Sequence, residues 1–144
     1  KHFTVRDADG GETLQVVSKR VSLTDTRYAK EEFDILNRIV AAGLPVPEPI
    51  AWVHDHGNMY FIMKRVSGKS LMDLTDEDII TLTSVLKSEV PDMRQKIEDA
   101  VSETRTRFLQ AGFAHKDWED RNIMISFNKE TKEPIITPID WETL

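Results

Sequence analysis

Cysteine is missing from all 144 residues, which excludes disulfides, thiolate nucleophiles and thiolate metal sites without fixing the compartment. No apolar run approaches the roughly 20 residues of a membrane span. The opening residues, KHFTVRDADG, also lack the apolar region of a secretory signal. The expectation is a cytosolic chain with no membrane partner. Basic clusters are missing too: 19 Lys and Arg are dispersed among 25 Asp and Glu, for a formal net charge of −6. That balance argues against a nucleic-acid backbone as the main partner, while a bound nucleotide stays compatible because a divalent metal and a few placed cations offset its phosphates. Internal repeats and low-complexity tracts are likewise absent. What is there, 40% hydrophobic and 31% charged residues, is the balance of a globular chain with enough length for one substantial core or two small lobes.

Stretches 2–8 and 13–21 have strand character and flank Asp9-Gly10-Gly11, a strong turn signal, so the first element is a hairpin whose second strand carries Lys19. Thr24, Asp25 and Thr26 offer N-caps for a helix over 27–42, with Tyr28, Phe33, Leu36, Ile39 and Val40 as its apolar positions and Gly43 as its stop. The three prolines of GLPVPEP, residues 43–49, fix φ and remove donors, so this stretch is a rigid connector. Residues 50–53 and 59–66 read as strands across His54-Asp55-His56-Gly57-Asn58. Those histidines are read as turn residues, because no Cys or further His supports a transition-metal site. Ser67-Gly68-Lys69-Ser70 then breaks the pattern, and the period changes from two to about three and a half residues.

Thr75 and Asp78 resemble a capping box ahead of a stripe of Ile79, Leu82, Val85 and Leu86. A longer helix over 91–111 turns Met93, Ile97, Ala100, Val101, Thr104, Phe108 and Leu109 to the core and ends at Gly112. Residues 123–127 and 135–139 form a hairpin closed by NKETKEP. The expected fold class is α+β. A small antiparallel sheet lobe with one helix spans 1–66, and a truncated helical lobe carrying a hairpin spans 67–144.

The chemistry concentrates in HKDWEDRN, residues 115–122, and PIDWE, residues 138–142. Phosphoryl transfer needs a carboxylate beside the attacking hydroxyl, oxygen ligands for Mg²⁺ and a cation on the phosphates. Asp117, Asn122 and Asp140 offer the first two. A carboxylate ending the apolar strand IITPID is costly to bury alone, so Asp140 should have a partner.

This order of elements with these residues resembles the protein-kinase-like two-lobe fold over nearly the whole chain. HKDWEDRN resembles the kinase catalytic loop, His-Arg-Asp followed by four residues and Asn. It also resembles the His-Gly-Asp version of the aminoglycoside and choline phosphotransferases. The resemblance implies ATP and Mg²⁺ as cofactors, Asp117 as catalytic base or hydroxyl orienter, and Asn122 and Asp140 as metal ligands. It further implies that Lys19 holds the α/β-phosphates with Glu32 as its ion-pair partner. In FIMKRVSG, Met63 falls at the gatekeeper position, with the backbone of Lys64 and Val66 facing the adenine edge. Arg121 would supply a cation to the transferred phosphate, as in tyrosine kinases. His115 is read as holding the loop, and Trp118 and Trp141 as packing residues first.

The chain also departs from that pattern. The Gly-rich phosphate loop expected before Lys19 is missing from these residues, since Asp9-Gly10-Gly11 falls too close to it, so either the chain is a fragment or its nucleotide lacks that lid. Glu119 stands where Ser/Thr kinases carry a Lys on the transferred phosphate, and an acid there repels it. Only four residues follow Asp140, so the resemblance is to a minimal kinase core, similar to the kinases that some bacteria inject into host cells. Three functions stay open. The first is an ATP- and Mg²⁺-dependent kinase acting on Ser/Thr hydroxyls of a protein substrate, in the cytoplasm or as an effector in a host cytosol. The second is a small-molecule kinase of the aminoglycoside or choline type, suggested by PVPEP and IDWE. The third is a binding module of kinase fold without turnover, suggested by Glu119 and the missing loop.

Overall fold

A computed structural model describes residues 2–6, 13–21 and 26–141. The chain divides into two compact units, Lys1–Val66 with Trp141–Leu144, and Ser67–Asp140. The fold class is mixed, with small antiparallel sheets and three α-helices among the described residues.

The first unit is built on four antiparallel strands, β1 (His2–Arg6), β2 (Thr13–Val21), β3 (Pro49–Asp55) and β4 (Asn58–Lys64), in the order β1-β2-β4-β3. Arg6 pairs with Thr13, and the turn expected at Asp9-Gly10-Gly11 lies outside the described residues, as do the caps Thr24 and Asp25. The β3–β4 turn is tighter than expected. Asp55 pairs with Asn58, leaving only His56 and Gly57, both at positive φ (48° and 78°), a two-residue turn whose twist suits the flanking strands.

Helix α1 (Thr26–Ala41) packs on this sheet through Phe33, whose ring centroid lies 5.8 Å from that of Trp52 and 5.6 Å from that of Phe61. Trp52 and Phe61 are themselves 5.6 Å apart at 70°, so Phe61 meets both other rings edge to face, the arrangement their quadrupoles favour, while Phe33 and Trp52 are tilted at 43°. Leu36, Ile39 and Val16 complete the buried layer. Val40, expected in it, is exposed in the last turn of the helix, although it lies one turn on from buried Leu36.

The second unit carries strands β5 (Lys69–Ser70), β6 (Ile123–Phe127) and β7 (Pro134–Pro138) in that order, with helices α2 (Asp76–Thr83) and α3 (Val90–Gln110). Its core joins Leu74, Ile79, Val90, Met93 and Ile97 to Ile123, Ile125 and Ile136 of the hairpin. The stripe on α3 runs through Met93, Ile97, Thr104 and Phe108, and Leu109, one step round the helix, is exposed against expectation. The α2 capping box is present: Thr75 Oγ1 accepts the Asp78 N–H at 3.1 Å, and Asp78 Oδ2 accepts the Thr75 N–H at 3.0 Å. This helix stops after two turns at Ser84, in the left-handed conformation (φ 61°). The buried pair is therefore Ile79 and Thr83, and the expected core positions Leu82 and Leu86 are exposed, the latter because it lies beyond the helix.

Residues 67–70, expected only to break the pattern, hold a strand: Lys69 and Ser70 pair with Ile125 and Met124. Two residues give too little alternation to be seen in a sequence. Gly68 permits the pairing, since at φ +104° a Cβ would fall 2.0 Å from the Ile125 carbonyl oxygen. Among the described residues no helix is long and apolar enough to cross a membrane.

Candidate functional site

In the second unit, HKDWEDRN links α3 to β6 and folds on itself: the Glu119 N–H donates to the Asp117 carbonyl at 2.9 Å and the Asn122 N–H to the Glu119 carbonyl at 2.8 Å. The fold of the loop returns the Asn122 side chain to Asp117. Asn122 Nδ2 donates to the Asp117 carbonyl at 3.0 Å and to Asp117 Oδ2 at 3.1 Å, and two acceptors on one atom identify it as the amide nitrogen. The oxygen therefore faces the other way. Asn122 is 5% exposed, and among the described residues no donor reaches its Oδ1. A buried amide oxygen without a donor is costly, and it is a suitable ligand for a hard cation.

Asp140 is brought to the same loop by its neighbour. The Ile139 N–H donates to the Asn122 carbonyl at 2.8 Å, and the Ile139 carbonyl lies 2.7 Å from His115 Nε2. His115 Nδ1 accepts the Asp117 N–H at 3.0 Å, so in the neutral ring Nε2 carries the proton and donates to Ile139. One imidazole thus ties the backbone of Asp117 to the residue before Asp140. Asp140 itself sits at φ +56°, a left-handed conformation that Asp tolerates better than most residues.

The charges of the loop meet at Arg121. Its Nη2 lies 2.6 Å from Asp117 Oδ2 and 3.4 Å from Glu119 Oε2. The Arg121 hydrogen bond is the main cause holding the Asp117 carboxyl below the usual carboxylate range. Arg121 is shifted up in turn, chiefly by Asp117, with Glu119 and Asp140 adding to the field. Asp117 is consequently ionised at neutral pH and a poorer proton acceptor than an ordinary Asp. Because Oδ2 already takes donors from Arg121 and Asn122, Oδ1 is the oxygen left to orient a hydroxyl. Glu119, expected to repel phosphate, is offset by Arg121. Arg121, expected on the nucleotide phosphate, has its guanidinium on Asp117 and Glu119.

Trp118 anchors the loop to α3. Its ring lies 6.3 Å from Phe108 and 6.1 Å from His115, with the Arg105 guanidinium 5.8 Å from its centroid.

In the first unit, Lys19 of β2 is the cross-strand partner of Phe61, so their side chains share a face. Phe33 of α1 packs on Phe61, which brings the preceding residue, Glu32, to Lys19: Nζ and Oε1 are 3.2 Å apart, with the side chains 35% and 13% exposed. Met63 is buried. The Lys64 N–H donates to the Glu48 carbonyl at 2.8 Å, which leaves only the Lys64 carbonyl for an adenine edge. The Arg65 N–H closes the ladder on the Gln15 carbonyl at 2.9 Å, and Val66 follows it.

The described residues contain no cluster of three His, Cys, Asp or Glu, so a metal here would rest on Asn122, Asp140 and ligand oxygens. That donor set suits Mg²⁺, which commonly takes one or two carboxylates together with phosphates and water. Two features were missed in the sequence. The Asp117–Arg121 pair was legible as an i,i+4 charge pair, whereas nothing in the local pattern marks the approach of Gly68 to Ile125.

A family model described as the RIO domain matches residues 9–141. No curated protein matches the sequence. Among solved structures, the crystal structure of Rad53 1–466 in complex with AMP-PNP is similar, with a TM-score of 0.56 and 18% identity, covering 97% of this chain and 34% of that one. The chain thus spans about a third of the length of that crystallised chain, and at this identity the likeness is one of fold alone. These findings uphold the kinase-like fold. They lend no support to the narrower resemblances to injected effector kinases and aminoglycoside or choline phosphotransferases.

Proposed function

The chain belongs to the RIO-domain family of atypical protein kinases, and on that premise we propose that it is an ATP- and Mg²⁺-dependent phosphotransferase acting on Ser/Thr hydroxyls of a protein in the cytosol. The observation that carries the reading is Asn122: its amide nitrogen is fixed on Asp117, and its buried oxygen has no donor among the described residues. In this reading Asn122 Oδ1 and Asp140 hold Mg²⁺, which offsets charge on the transferred phosphoryl group. Asp117 Oδ1 orients the acceptor hydroxyl. Lys19, braced by Glu32, holds the nucleotide phosphates, and the Lys64 carbonyl with the Val66 backbone meets adenine beside Met63. The nucleotide assignment is supported by the kinase-like fold shared with a protein crystallised with AMP-PNP.

The test is label transfer from γ-labelled ATP with Mg²⁺ to mixed protein substrates, with aminoglycosides and amino alcohols in parallel, for the natural chain and Asp140→Ala. Protein labelling that Asp140→Ala abolishes is expected. Labelling confined to the small acceptors would move the acceptor class. Nucleotide binding with no transfer to any acceptor would replace the enzyme by a binding module.

A further inference from the structure

The catalytic loop carries a cation of its own where a metal is to bind. Asp117, Glu119 and Asp140 all act on the single guanidinium of Arg121, which bridges the first two at 2.6 and 3.4 Å. Arg121 is also the residue immediately before Asn122, whose open oxygen we assign to the metal. Asp117 and Glu119, both on Arg121, repel each other, and Arg121 relieves that repulsion before any metal arrives, with Asp140 adding to the field on it. The same positive charge opposes a bare dication but attracts polyphosphate.

We propose that Arg121 makes the loop discriminate between free divalent metal and metal already carried on a nucleotide, disfavouring the first and favouring the second. The inference rests on the assignment of Asn122 and Asp140 as metal ligands. It gives Arg121 the role of a specificity-determining residue. Its two effects have opposite sign, because the free dication is positive and its complex with a nucleoside triphosphate is negative. Lys116 provides an internal comparison: it is adjacent to Asp117 in sequence, carries the same charge, is exposed, and forms no ion pair among the described residues.

Mn²⁺ titration followed by electron paramagnetic resonance, on the full chain, reads both effects without turnover. For Arg121→Gln, Mn²⁺ alone should bind more tightly, on the order of fivefold at low salt for a unit charge several ångströms from a dication in a solvated site. The Mn²⁺ complex of AMP-PNP should bind more weakly than to the natural chain. Arg121→Lys, which keeps the charge, should stay close to the natural protein in both titrations, and it preserves the test if the Gln variant folds poorly. Lys116→Gln should change both affinities by less than twofold. Equal or weaker Mn²⁺ binding by Arg121→Gln, or an equal gain by Lys116→Gln, would overturn the inference alone. If Asp140→Asn leaves Mn²⁺ binding unchanged, the metal-site assignment fails and the inference fails with it.

Discussion

Replacing Gly68 with Ala should unfasten β5 from the β6–β7 hairpin. The new Cβ would stand 2.0 Å from the Ile125 carbonyl oxygen, 2.7 Å from its carbonyl carbon and 3.2 Å from Ser126 Cβ. A carbon and a carbonyl oxygen approach no closer than about 3.3 Å even in a weak C–H···O contact, so one backbone must retreat by roughly 1.3 Å. Ile125 cannot retreat cheaply, because it is fully buried and paired with Ile136 in the middle of the core. The segment that yields is 68–71, and with it go the pairing of Lys69 and Ser70 on β6 and the 2.8 Å bond from the Leu71 N–H to the Ile123 carbonyl. Two or three backbone bonds at about 1 kcal/mol each, plus about 1–2 kcal/mol for an alanine at φ +104°, give a loss of about 3–5 kcal/mol. Against a usual stability of about 5–15 kcal/mol this is large. Gly112→Ala is the control, since Gly112 also has positive φ (+90°) but nothing lies within 4 Å of an added Cβ. Urea unfolding, with hydrogen exchange at the Leu71 amide as a local probe, should separate the two variants by at least 2 kcal/mol. Equal losses would show that backbone conformation alone, and not the approach to Ile125, fixes glycine at position 68.

Other perturbations test other links. Asp78 is held down to about 2, first by the Thr75 backbone N–H and next by Lys69, whose Nζ is 2.9 Å away. A depressed folded value stabilises above the ordinary 3.8 and loses that contribution as pH falls through about 2, so the advantage of the natural chain over Asp78→Asn should shrink across this window. Urea midpoints that differ by a constant amount from pH 6 to pH 2 would refute this. Lys19→Met should weaken Mg·ATP binding on the order of tenfold to a hundredfold, the worth of a charge-assisted bond to phosphate, as read by calorimetry. Unchanged affinity would remove Lys19 from the site. His115→Ala leaves the Asp117 N–H and the Ile139 carbonyl without their partner and should cost about 2 kcal/mol. It should lower kcat with little change in the KM for ATP, and a loss in KM alone would contradict a role in positioning Asp117.

Much of the architecture was legible because local rules and tertiary packing agree there. Periodicity marked α3 and the two hairpins, and Thr75 with Asp78 announced the start of α2. The misreadings at Leu82, Leu86 and Leu109 share a cause: a hydrophobic stripe tells which residues could be buried, while helix length and the partner face decide which ones are. Strand β5 was illegible because its evidence lies in a contact between residues 68 and 125, far apart in sequence. In the site, the types and spacing of Asp117, Asn122 and Asp140 pointed to the chemistry. That Lys64 has its N–H committed to Glu48, and that Arg121 lies on Asp117, depends on side-chain and ladder geometry that spacing does not encode.

Phosphoryl transfer under single-turnover conditions, with chain in excess over labelled ATP and Mg²⁺, tests the central claim most directly. The account predicts that the natural chain moves the γ-phosphoryl group to a protein hydroxyl, that Asp117→Asn binds ATP normally but transfers at least a hundredfold more slowly, and that Asp140→Ala fails to transfer. Transfer by Asp117→Asn and Asp140→Ala at the rate of the natural chain would contradict it.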